Sequence, residues 1–491
     1  FPYWTGGSDL GIGDLGEGVA LAFDWTYDLM TPGERDFIVG KITEQQDILF
    51  VRSLFEYTNE ASTYLTSNWT GVLGGGAGLL LLAIHGAPKA PTTFTSPPQP
   101  GFSNVPAFPE RTYTFDDYLD KAIYKAGGYL RNGFDVKGAG HEGHSYSVYG
   151  LKNSVPFARA LERESGVDLL AGTGARNIAT WAAFEQLPGQ GQNYVPINDS
   201  TKIEGGIDFA AMQFGIAPDN GVAQWLWKRT VGSEGHDFYN QPHPPAIVGD
   251  DVCPLNRFHE APLVSTVCAP LAHVHGNVWT ILWYQDPEQT PEVDPATLTP
   301  LSIHHEALGL IDARTGFKNG EREIISTFQA RRNGIAHFQY DLGNFTIYGH
   351  GAEWAIDPGT SCAGCGNHAD AGYPVAHNVV LIDRSLDYPN RMPNHPSELN
   401  PNSRWWRPNT ASVQYEWSRY FNGTTIDRFV NAPNVSVTHA DLRYAYNFES
   451  PYAGRDHLFS RVPGRPVIVG IADQVQRTTS GNHAYEWQML T

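Results

Sequence analysis

Cysteine is scarce in this sequence, with four among 491 residues, at Cys253, Cys268, Cys362 and Cys365. So few exclude a disulfide-dense small scaffold. Their two close pairs suit local disulfides, and closing the loop between Cys253 and Cys268 would contribute about 3 kcal/mol. Cys362 and Cys365 also form a Cys-x-x-Cys, as redox and zinc motifs do, but no second such pair accompanies it. Basic residues are in deficit too, 33 against 52 acidic, for a net charge of −19. With the acidity spread evenly, no basic face is available to track nucleic acid or an anionic membrane, and neither is expected as a partner. Long apolar runs are missing: Leu79 to Ile84 is the longest, far below the ~20 residues of a membrane span. The sequence opens at Phe1 without methionine or a signal-like segment, as a processed chain or a fragment would. Sequons at Asn68, Asn198, Asn344, Asn422 and Asn434 suit a secreted or periplasmic protein.

What is present is core material, 41% hydrophobic and 12% aromatic, enough for two or three domains. From Gly18 to about Leu187 the texture is helical. In "TPGERDFIVGKI", Thr31 is placed to cap, Pro32 to fill the first turn and Glu34 to complete a capping box. "DDYLDKAIYKAGGYL" and "NIATWAAFEQL" continue the pattern between glycine-rich loops, predicting a curved array of helices. "DPEQTPEVDPATLTP", residues 286 to 300, reads as a surface connection. Beyond it, "EIISTFQARR", "EWAIDPG", "HNVVLID" and "PVIVGIADQV" are short, β-branched and aromatic, predicting an antiparallel β domain. "AHFQYDLGNF", residues 336 to 345, is read as one strand with His337, Gln339 and Asp341 on a single face. The final "HAYEWQMLT" also reads as a strand, so the last part of this domain is expected to lie beyond it.

The ordered set "SNWTGVLGGGAGLLLLAI", "EGHSYSVYG", "AHFQYDLGNF", "AEWAIDPG" and "VAHNVVLID" resembles the heparinase II/III-like polysaccharide lyases, which include alginate and heparin lyases. The resemblance runs from about Leu15 to the end, with few placeable motifs between Gly189 and Thr299. It implies a multidomain α+β chain: an N-terminal incomplete (α/α) toroid over 1–299 and a C-terminal antiparallel β-sandwich over 300–491. It also implies an acidic polysaccharide as substrate, cleaved by β-elimination. That reaction removes the proton beside a uronic-acid carboxylate and expels the 4-linked oxygen. The carboxylate must be neutralised, a base supplied and the leaving oxygen protonated.

By the resemblance, Asn68 is the carboxylate neutraliser. Trp69 follows it where several relatives have histidine, which weakens any base on that helix and offers a face for sugar stacking. The catalytic tyrosine is Tyr146 or Tyr149, three apart and so on one helix face. Glu142 and His144 neighbour them, His144 as a second proton carrier. His337 is implied as a proton carrier or carboxylate contact, and Tyr373 as a second substrate-touching tyrosine. Arg331 offers a bidentate carboxylate contact, or is simply solvated. The implied metal ligands are Gln339, Asp357 and His377. Glutamine replaces histidine at the first, so the group holds either one divalent ion, zinc or a harder one, or a metal-free hydrogen-bond cluster. Two other readings stand beside the lyase: an inverting glycoside hydrolase using Glu142 and Asp135, and a non-catalytic polysaccharide-binding protein. The −19 charge favours an alginate- or glucuronan-like chain over a densely sulfated one.

Overall fold

A computed structural model describes residues 10–56, 65–90, 92–96, 98, 110–189, 193–198, 200, 207–231, 278–318, 320, 322–331, 339, 341–359, 377–382, 425–443, 451–476 and 482–491. The chain divides into two compact units. The first comprises Phe1–His141, Tyr146–Arg176 and Gly215–Ala217; the second comprises Glu142–Ser145, Asn177–Phe214 and Pro218–Thr491.

The first unit is helical. It contains α1 (Gly11–Thr26), α2 (Pro32–Glu44), a π-helical stretch (Asp47–Glu56), α3 (Asn68–Ile84), a hairpin of β1 (Thr93–Ser96) and β2 (Arg111–Thr114), α4 (Phe115–Asn132) and most of α5 (Gly143–Ser165). The expected cap is present. Thr31 and Glu34 form a reciprocal capping box with Pro32 in the first turn, and Thr114 with Asp117 repeats the device at α4. Glycine would normally weaken α3. Here it permits close approach on three sides: a Cβ on Gly76 would lie 2.1 Å from the Gly13 carbonyl oxygen of α1, one on Gly74 2.7 Å from Lys125 Cβ of α4, and one on Gly75 2.4 Å from Asn153 of α5. Arg159 of α5 donates to the carbonyls of Gly215 at 2.6 Å and Ile216 at 2.7 Å, which explains why 215–217 groups with this unit.

The second unit carries α6 (Ile178–Glu185), α7 (Ile207–Ile216) to its last two residues, α8 (Gly221–Val231), α9 (Val278–Trp283) and the sheets. Strands β3 (Ser302–His305), β4 (Leu310–Arg314), β5 (Ile324–Gln329), β6 (Phe345–Gly349) and β7 (Ala352–Ala355) form an antiparallel sheet in sequence order. Strands β9 (Ile426–Ala432), β10 (Val435–Asp441), β11 (Tyr452–Ser460) and β12 (Ile468–Gln476) form a second, and β8 (Val380–Ile382) pairs with β13 (Tyr485–Trp487). One core runs across the sheets: Ile311, Phe328 and Phe345 pack in the same cluster as Ile382, Ile426, Ala440 and Ala453. Polar pairs cross within it, Ser326 Oγ to His457 Nε2 at 2.9 Å and Arg461 to Ser302 Oγ at 2.8 Å. Buried Arg314 of β4 reaches the end of α6, donating to the carbonyls of Ala183, Phe184 and Gln186 and pairing with Glu323 at 3.1 Å.

Residues 286–300 run over the surface as expected, held by Glu292, which pairs with Lys228 and Arg229, each at 2.7 Å, and by Val293 N, which donates to Gly221 O. One sequence expectation changes: the described residues 339 and 341–344 do not continue a strand into β6. The described positions form a turn in which Gly343 takes φ +88 and Asn344 N donates to Asp341 O. Glycine suits this turn, because its positive φ is one that L side chains rarely adopt and a Cβ there would lie 2.7 Å from Leu442.

Candidate active site

The parallel course of α3 and α5 organises the candidate residues of the first unit. A Cβ on Gly71 would meet Gly150 O at 2.8 Å, one on Gly75 would meet Asn153, and one on Gly78 would meet Phe157 at 2.6 Å. The two helices therefore advance together, and one turn further back Asn68 stands at the level of Tyr146. Both lie at helix N-terminal ends, where backbone dipoles favour an anion. Ser67 caps α3, its side chain accepting from Trp69 N. Trp69, Tyr146 and Tyr149 are half-buried, whereas Asn68 is fully buried. That burial departs from the expectation of an amide open to substrate. It also removes Asn68 as a glycan acceptor in the folded chain, as it does Asn198 and Asn344, while Asn434 is exposed.

Tyr149 is engaged structurally. Its hydroxyl donates to Asp14 Oδ2 at 3.2 Å, and Lys152 Nζ lies 3.1 Å from Asp14 Oδ1, while Asn153 donates to Glu17 at 2.7 Å. Asp14 carries no motif, so the sequence offered no signal for this tie.

Residues Glu142–Ser145, which precede Tyr146 in the chain, belong to the second unit. His144 is buried, stacked on Trp181 with centroids 3.9 Å apart, and its Nε2 lies 2.9 Å from Glu185 Oε2. Burial pushes the His144 pKa down to about 3 and the Glu185 carboxyl well up, with Asp312 adding to the latter, so burial favours the neutral form of each. His144 is therefore a core group, and the expectation that it contacts substrate or carries its proton is corrected by this enclosure. Glu142 is likewise buried, as is Asp135, whose Oδ1 accepts from Lys137 N.

The residues implied as metal ligands lie together and are all buried. Asp357 Oδ1 accepts from Gly359 N at 2.7 Å and Oδ2 from Asn344 Nδ2 at 2.5 Å, with His377 Nδ1 3.5 Å from Oδ2. Gln339 turns its amide nitrogen to Gly359 O at 2.9 Å. Asn378 extends the cluster, donating to the carbonyls of Phe345 and Ile356 and accepting from Leu490 N. Arg331, buried rather than solvated, and His377 favour the ionised form of Asp341, yet burial dominates and pushes its carboxyl up to about 6. One imidazole, one carboxylate already accepting two hydrogen bonds, and one amide do not fit a zinc centre of thiolate, imidazole and carboxylate ligands. Nor do they supply the roughly six to eight oxygens of a calcium site. Among the described residues no group of three or more His, Cys, Asp or Glu side chains is placed to hold a metal ion. His337, Tyr373, Cys253, Cys268, Cys362 and Cys365 lie outside the described residues.

No protein-family model matches the sequence, and no curated protein matches it. Solved structures do. A heparinase III gene product with methylated lysines aligns at TM-score 0.55 and 12% identity over 98% of this chain and 55% of its own. A second structure of that gene product aligns at TM-score 0.51 and 12% identity over 94% and 56%. A heparan sulfate lyase mutant from Pedobacter heparinus aligns at 0.48 and 12% over 96% and 60%. The chain thus spans 55% to 60% of the length of these structures. Taken from the two heparinase III structures, the conclusion is that this chain has the heparinase III fold.

Proposed function

We propose that the chain is a polysaccharide lyase that cleaves a uronic-acid-containing chain by β-elimination. The observation that carries the reading is the register of α3 and α5, which sets Asn68 and Tyr146 at one level in a heparinase III fold. Tyr146 is the assigned proton carrier, from its place in the first turn of α5, and the Tyr149 hydroxyl donates to Asp14. A tyrosine at a helix N-terminal end, where the dipole favours its anion, can take the proton from the carbon beside the carboxylate and deliver that proton to the departing 4-oxygen as the double bond forms. Asn68 is assigned to the substrate carboxylate. Since it is enclosed in the free chain, that role requires substrate entry to open it, and an Asn68→Ala variant with full turnover would remove it. The helices packed around α3 support an incomplete (α/α) toroid, and the shared core of the two large sheets supports a β-sandwich.

The likeness to the heparinase III structures supports an acidic polysaccharide as the substrate class. The −19 charge favours a carboxylated chain over a densely sulfated one. Asn434, exposed between β9 and β10, is the described sequon compatible with secretion. Elimination leaves a conjugated double bond, so incubation with alginate, glucuronan and heparan sulfate, followed by ultraviolet absorbance, tests the reading. New reducing ends without absorbance would assign a hydrolase, and binding without product a carbohydrate-binding protein.

A further inference from the structure

The hydroxyl of Ser200 accepts from Ser145 N at 3.2 Å in the first turn of α5. Gly143, at φ +81, lies so close that a Cβ there would be 2.4 Å from Ser200 Oγ and 2.7 Å from Ile197 O. On its other side, the Ser200 backbone is met by Gly359, at φ +60, where a Cβ would fall 2.2 Å from Ser200 O and 2.8 Å from Pro196. Gly359 is itself held twice, its N–H by Asp357 and its carbonyl by Gln339. The loop is closed at its near end by Val195 N donating to Glu185 O, and Ser200 N donates to Ile197 O. Ser200 is fully buried and so has no water to substitute for these partners.

From this juxtaposition we infer that Ser200 is a positioning residue: backed by the Gly359 turn, it fixes the opening turn of α5 from which the next residue, Tyr146, projects. The inference rests on the lyase reading for its catalytic consequence but not for the contact itself. Two glycines with positive φ flank the serine, and either would be strained and crowded by any side chain. Such close backbone approach transmits position rather than absorbing it. The cluster of Gln339, Asp357 and His377 then acts as a brace for this turn, not as part of the chemistry.

The test uses the full chain and the Ser200→Ala variant, with amide hydrogen exchange, thermal melting and ultraviolet-detected turnover across pH. Expected are faster exchange confined to residues 143–147, a kcat lowered about 10-fold by misplacement of the reacting group, KM near the wild-type value, and a displaced basic limb in the kcat–pH profile. A merely structural serine would lower the melting temperature and leave both the profile and kcat per folded molecule unchanged; that result overturns the proposal, as does unaltered exchange at 143–147. If wild-type protein makes no unsaturated product while exchange still rises locally in the variant, the lyase reading fails and the positioning contact stands.

Discussion

Tyr149 on α5 donates to Asp14 on α1 across 3.2 Å, a tie between the two helices made by one of two tyrosines that the sequence leaves equivalent. Tyr146→Phe is expected to lower kcat by ~100-fold or more with an unchanged melt, the scale of general acid–base catalysis. Tyr149→Phe is expected to cost about 1 kcal/mol of stability and to leave kcat nearly intact, since one hydrogen bond at a half-buried position is lost. Product absorbance and thermal melts on both variants check this; the opposite pattern would transfer the proton-carrying role to Tyr149.

The cluster around Asp357 is expected to be stable without metal. Asp357→Ala leaves the Gly359 and Asn344 donors without their shared acceptor inside the protein, for a loss of about 3 kcal/mol. Prolonged chelation should leave the wild-type melting temperature in place, and Gln339→His should raise zinc affinity by adding an imidazole beside His377. Stoichiometric zinc in purified wild-type protein, or a large drop in melting temperature on chelation, would contradict the fit argued from the donor set.

Two glycine substitutions on neighbouring helices are expected to act in opposite directions. Gly76→Ala would place a methyl 2.1 Å from Gly13 O and should destabilise by about 3 kcal/mol, overpacking exceeding the gain in helix propensity. Gly18→Ala on α1 meets nothing within 4 Å and should stabilise by about 0.5–1 kcal/mol. Denaturant titration of both variants measures the contrast, and equal effects would discount the close approach of α1 and α3.

His457 predicts acid lability. Burial first, and the nearby Arg455 charge second, lower its pKa from 6.5 to about 4, while the unfolded chain titrates at the ordinary value. Between those two values the unfolded state binds the proton and the folded state does not, so stability falls as pH drops from 6.5 towards 4, by up to about 3 kcal/mol. His457→Gln, which can still hydrogen-bond to Ser326, should flatten the melting temperature over that window. An unchanged slope would assign the acid sensitivity to other groups.

The sequence by itself determined the helix starts and the change of texture, because capping boxes and hydrophobic periodicity act within a few residues. Thr31 with Glu34 stands where the pattern placed it, "NIATWAAFEQL" contains α6, and "PVIVGIADQV" covers β12 to its last residue but one. It also pointed to the heparinase-like fold through short motifs kept in order. Contacts between distant residues were decided only by the tertiary structure. Alternation placed Gln339 and Asp341 on one strand face, but the chain turns at Gly343, φ +88, against Leu442, before β6. His144 looked like a proton carrier from its neighbours in sequence, and only the stacking of Trp181 and the Glu185 carboxyl revealed it as an enclosed neutral group. Ser200 drew notice in the sequence only as the serine of the Asn198 sequon, since its proposed role comes from Gly143, 57 positions before it, and Gly359, 159 positions after it, meeting the same residue. Local chemistry specifies where an element begins, whereas the surroundings of a polar side chain are set by whichever remote segments pack against it.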